Sequence, residues 1–164
     1  MCAEQLKDYI ARLPEKELQE RRIYVSLEFT YFWMHVTNRM AYDEIGNENR
    51  IKLQRELGLS VIEPIVETLF NHWPENMRQN ILLEIFDKLN EAEMEYSNVQ
   101  NLLPEGDLYK DESIFSRLAM NVAQLFDQAQ DSELITTILN HTINTFSEID
   151  LKNLINAAAM ELKD

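Results

Sequence analysis

Cysteine occurs once, glycine three times and proline four times in 164 residues, and each scarcity closes off a class of fold or chemistry. With Cys2 alone there is no intrachain disulfide, and a thiolate metal cluster needs ligands from elsewhere; such usage fits a reducing compartment. Gly46, Gly58 and Gly106 lie far apart, and none begins a phosphate-binding loop. Long apolar runs are missing too. The longest charge-free stretch, 134–147, has 14 residues and includes Asn140, His141 and Asn144, whereas a membrane-spanning helix needs about 20 mostly apolar residues. Glu4, Asp8, Glu15, Glu17 and Glu20 fall in the first twenty positions, where the apolar core of an export signal tolerates no such charges. The expectation is a soluble, cytoplasmic chain with no membrane segment.

Positive charge is also in short supply. Fifteen Lys/Arg stand against 29 Asp/Glu, for a net charge of −14. Residues 1–82 carry ten basic against thirteen acidic side chains, a net of −3; residues 83–164 carry five against sixteen, a net of −11. An acidic surface repels nucleic-acid phosphate and anionic membrane, and it speeds encounter with basic partners through long-range attraction. A basic protein is therefore the expected partner, with neither nucleic acid nor membrane. Solubility alone is the bland alternative.

With so few breakers and almost no strand-like alternation, helix is the default. The spacing predicts a first helix over 3–13. A second runs from Pro14 toward Ile45, is apolar on most of its circumference between Ile23 and Val36, and is closed by Gly46 and Asn47. A strand over 23–33 is the rival reading, since Ile23, Val25, Leu27, Phe29, Tyr31 and Trp33 alternate, but it has no second strand to pair with. Helices follow over 48–57, ended by Gly58; over 60–72, with Ser60 and Glu63 as a capping box and Pro64 in the first turn; and over 74–96, with Ile81, Ile85, Leu89, Ala92 and Tyr96 facing the core. After a long loop over 97–110 come helices over 111–129, over 132–146, and one capped by Ser147 with Asp150 at its third position. The expected fold is all-α: one domain over 1–164, a compact antiparallel multi-helix bundle or helical array of seven to eight helices around a long central apolar helix.

Familiar site patterns fail on inspection. The stretch 53–69 has the rhythm of a DNA-binding helix-turn-helix, but Pro64 sits where a core aliphatic belongs, and Glu63 and Glu67 replace the expected cations. Phe32, Leu69 and Ile138 precede the three histidines by three, so the Glu-x-x-His pattern of di-metal bundles is missing. No metal, cofactor or catalytic residue is expected. Cys2 could act as a nucleophile only if a base and a charged environment lowered its pKa, which the second position of a fraying terminus disfavours. One polar stripe does stand out. Arg21, Glu28 and His35 recur every seven residues, with Arg39 one turn on, and two readings compete: a ligand pocket built on Glu28, His35 and Arg39, or the solvent edge of the helix.

The acidic segment 84–112 holds nine Asp/Glu against Lys88 and Lys110, a net of −7. Glu84, Asp87, Glu91 and Glu95 are spaced by three and four, which puts them on one helical face, and Glu105, Asp107, Asp111 and Glu112 continue the charge through the following loop. Leu103 and Tyr109 supply apolar anchors beside that rim, as protein interfaces do. The functional expectation is a non-enzymatic acidic module, monomeric or homodimeric, that binds and inhibits or neutralises a basic protein, in the manner of immunity proteins or nucleic-acid mimics. A ligand-binding protein or enzyme using the polar stripe, and a helical assembly subunit, are the alternatives.

Overall fold

The structure is a computed structural model and describes residues 14–104 and 112–162. Five helices are present among the described residues: α1 (Glu15–Leu69), α2 (Glu75–Ser97), α3 (Ile114–Leu125), α4 (Ser132–Glu148) and α5 (Leu151–Glu161). The all-α expectation holds, and no strand is found among these residues; the alternating segment 23–33 is helical. The expected count of seven to eight is corrected to five. The helix expected over 3–13 lies outside the described residues; the break expected at Gly46 is present inside the run counted as α1, and the helices expected over 48–57 and 60–72 are continuous after it as far as Leu69.

Three supposed helix boundaries explain the difference. Only Gly46 interrupts helical geometry, with φ 74° and ψ 169°, a backbone region open essentially to glycine alone. Gly58 stays helical and buried, with α2 packed beside it: a β-carbon there would lie 3.4 Å from Phe86, at ordinary contact distance. Ser60, expected as a cap, donates its hydroxyl to the Glu56 carbonyl inside the helix instead. Pro64 is accommodated within the same run at the loss of one backbone bond.

The chain turns back at Gly46. Gln54 Nε2 donates to the Met34 carbonyl at 3.1 Å and Arg50 Nη1 to Asn38 Oδ1 at 2.9 Å. Twenty residues of straight helix span about 30 Å, so a hydrogen bond between positions 34 and 54 requires antiparallel arms. Averaged over its length α1 is slightly polar; within the expected apolar stretch 23–36, Leu27, Tyr31, Phe32, Met34 and Val36 are buried and Tyr24 is exposed.

Residue contacts divide the chain into two compact units. One comprises 1–32 and 96–149, the other 33–95 and 150–164. In the first, Phe115 is fully buried, with Phe32 edge-on at 4.9 Å and Phe146 edge-on at 5.2 Å, while Phe32 also meets Tyr96 at 6.0 Å. Helices α3 and α4 pack together around Leu118, Val122, Leu134 and Leu139. Ser113 caps α3, accepting from the Ser116 amide at 3.0 Å, and Asp131 caps α4, accepting from Leu134 at 2.9 Å. Asp127, at φ 58°, ends the α3 segment short of the expected 129, a conformation that Asp tolerates better than most residues.

In the second unit the arms of α1 meet α2, where Ile85 is buried and Ile81, Leu89 and Ala92 are half-buried; Tyr96, the last residue of the expected core face, is buried in the first unit. Helix α5 closes on the Gly46 end, where Ile155 joins Ala41 and Leu53. Its cap is Asp150, which accepts from the Asn153 amide at 3.2 Å; Ser147, expected in that role, lies inside α4.

Candidate functional site

The polar stripe of α1 divides between the two units, and its members are engaged by protein side chains. In the first unit Arg21 donates to the Leu125 carbonyl at 2.5 Å, to Asp127 at 2.9 Å and to Glu17 at 2.8 Å. Leu125 ends α3, and carbonyls at a helix end lack intrahelical partners, so the guanidinium serves as a C-terminal cap. About two turns further along, Glu28 Oε1 accepts from Tyr96 Oη at 2.7 Å and from Asn121 Nδ2 at 2.8 Å. Tyr96 is wholly buried and needs such an acceptor.

His35 belongs to the second unit. It is 4% exposed, and its Nδ1 lies 2.8 Å from Glu93 Oε2. Asn38 Nδ2 donates to the other oxygen of Glu93 at 2.6 Å, and Arg50 holds Asn38 from the opposite arm of α1. Burial is the largest influence on the Glu93 carboxyl and pushes it up. The His35 hydrogen bond and charge, the Asn38 hydrogen bond and the Arg50 charge together outweigh it, holding the group below the ordinary carboxylate range. Arg39 is half-buried. Of the proposed pocket residues, then, Glu28 is held by Tyr96 and Asn121 in one unit and His35 by Glu93 in the other.

Glu93 was not singled out as a site residue, yet its place was legible. It continues the spacing of Leu82, Phe86 and Leu89 by four, three and four, which sets it on the covered side of α2 rather than with its acidic neighbours.

Those neighbours point outward. Glu84, Asp87, Glu91 and Glu95 are all exposed on the face of α2 opposite Ile85. Lys88 lies 2.6 Å from Glu91 at the surface. Two large apolar side chains share this outer face and were not anticipated: Leu83 is 64% exposed and Met94 71%. Eleven residues apart, they stand three turns from one another along one edge of the helix, about 16 Å, with Asp87 and Glu91 between. Their signal was present in the sequence, since both are apolar residues off the stripe that carries Ile81 and Ile85.

Leu103 is 40% exposed and Glu112 is exposed, both in the first unit. Glu105, Asp107, Tyr109 and Asp111 lie outside the described residues, as does Cys2. Among the described residues no group of His, Cys, Asp or Glu has the geometry to hold a metal ion, and no helix is long and apolar enough to cross a membrane. Comparison with protein-family models, with curated proteins and with solved structures finds no match.

Proposed function

We propose that this chain is a non-enzymatic acidic interaction module that binds a basic protein and inhibits or neutralises it. The observation that carries the reading is the outer face of α2, where Glu84, Asp87, Glu91 and Glu95 are exposed together with Leu83 and Met94. Like charges spaced by three and four along a helix repel one another, at a cost of about 0.2–0.5 kcal/mol per pair. A basic partner turns that repulsion into attraction, and the two apolar side chains supply desolvated anchors within the charged rim. Hydrogen bonds from neighbouring side chains to Glu28, and from His35 and Asn38 to Glu93, support a structural rather than a ligand-binding role for the polar stripe.

The test compares wild type with Asp87→Lys/Glu91→Lys as bait in extracts of the native host, at low and at high salt. The expected result is a basic protein retained by wild type at low salt, released by high salt and lost with the variant. Retention that charge reversal leaves unchanged would overturn the reading, as would no salt-sensitive partner at all.

A further inference from the structure

The sequence and the contacts single out α5 as an element apart. The boundary between the two compact units falls between Ile149 and Asp150, so α5 belongs to the second unit, where it packs against the arms of α1 around Gly46. Eleven residues are fewer than an isolated helix needs for stability in water, so α5 depends on what it touches.

That attachment is narrow. Only Ile155 and Ala159 are buried, and Leu151, Ala158 and Leu162 are half-buried against the seam of Met40, Ala41, Ile45, Leu53 and Leu57. Leu154 and Met160 face solvent, 59% and 66% exposed. The seam is open on one side, where a cleft of about 350 Å³ separates Glu44, Ile45 and Asn49 from Asn156, Ala159 and Met160. The ion pair of Lys152 with Glu44, at 2.8 Å, has its lysine 62% exposed, and such surface pairs hold weakly. The arms beneath are tied independently of α5, by Gln54 to Met34 and by Arg50 to Asn38.

We propose that α5 is a strap that opens on its own, uncovering the apolar seam of Ala41 and Leu53 while the two arms of α1 stay folded. Opening and closing is a local equilibrium between a covered and an exposed apolar surface, and the hinge is the pair Ile149–Asp150 between the two helices. Removing the strap needs the loss of two buried side chains and one capped helix; separating the arms also needs the loss of the Gln54–Met34 and Arg50–Asn38 hydrogen bonds.

Native-state hydrogen exchange on the full chain reads this directly. Backbone amides of 155–162 are expected to exchange at least about tenfold faster than hydrogen-bonded amides of 34–41 and 50–57, since local openings precede global unfolding. Ile155→Ala should accelerate α5 about tenfold further and leave the arms within about twofold, while Leu154→Ala, on the exposed side, leaves α5 within the same margin. Equal protection of α5 and the arms in wild type would overturn the proposal without recourse to any variant. So would an Ile155→Ala chain in which both exchange faster by the same factor.

Discussion

His35 and Glu93, 58 positions apart, meet at 2.8 Å through Nδ1 and Oε2 and tie the first arm of the α1 hairpin to the end of α2. A buried polar group that loses its partner pays its full desolvation cost, about 1–3 kcal/mol. His35→Ala and Glu93→Ala are each expected to lower stability in urea by that amount. The double variant should lose less than the two together, because each single change already breaks the same contact.

Acid should act through the same carboxylate. The folded chain holds Glu93 below its ordinary range, so as pH falls the unfolded chain takes up that proton first. The stability it contributes is fully present above the ordinary carboxylate pKa and is lost as pH falls through the depressed folded value. Urea midpoints for Glu93→Gln should therefore converge on wild type at acid pH and separate from it toward neutrality.

The two glycines of α1 predict opposite signs for one substitution. Gly46→Ala forces an L side chain to φ 74° and should cost about 1–3 kcal/mol, although no atom lies within 4 Å of the new methyl. Gly58→Ala puts its methyl 3.4 Å from Phe86 and 3.8 Å from Met34, at ordinary contact distance. Helix propensity then favours alanine by up to about 1 kcal/mol. Thermal and urea melts of the pair separate backbone strain from packing.

Glu28 offers a test of shape against charge. Both of its donors reach Oε1, so Glu28→Gln keeps an acceptor in place and should cost no more than about 1 kcal/mol. Glu28→Ala removes the acceptor of both Tyr96 Oη and Asn121 Nδ2 and should cost more than the glutamine variant, about 1–3 kcal/mol.

On the outer face of α2, charge reversal should separate binding from folding. Asp87→Lys/Glu91→Lys is expected to change stability by no more than about 0.5 kcal/mol, since both side chains are exposed. Met94→Asp should likewise leave the fold intact and weaken capture of a basic partner by removing an anchor. Circular dichroism melts and salt-dependent binding, measured on the same samples, check both halves.

The all-helical class, the core face of α2 and the break at Gly46 were determined by the sequence itself. Each follows from short-range physics: the 3.6-residue period that lines up Ile81, Ile85, Leu89, Ala92 and Tyr96, and the freedom of glycine at positive φ. Periodicity gives the angle of a side chain around its own helix and says nothing of which helix covers that angle. Only the tertiary structure decided that Gly58 and Pro64 stay helical, since Phe86 and Met34 pack beside Gly58. It likewise turned the Glu28 and His35 stripe inward, because Tyr96, Asn121 and Glu93 reach it from 58 to 93 residues away. Glu91 and Glu93 differ by two positions and by about half a turn of helix; the arm bearing His35 made Glu93 a half-buried hydrogen-bond partner and left Glu91 at the surface.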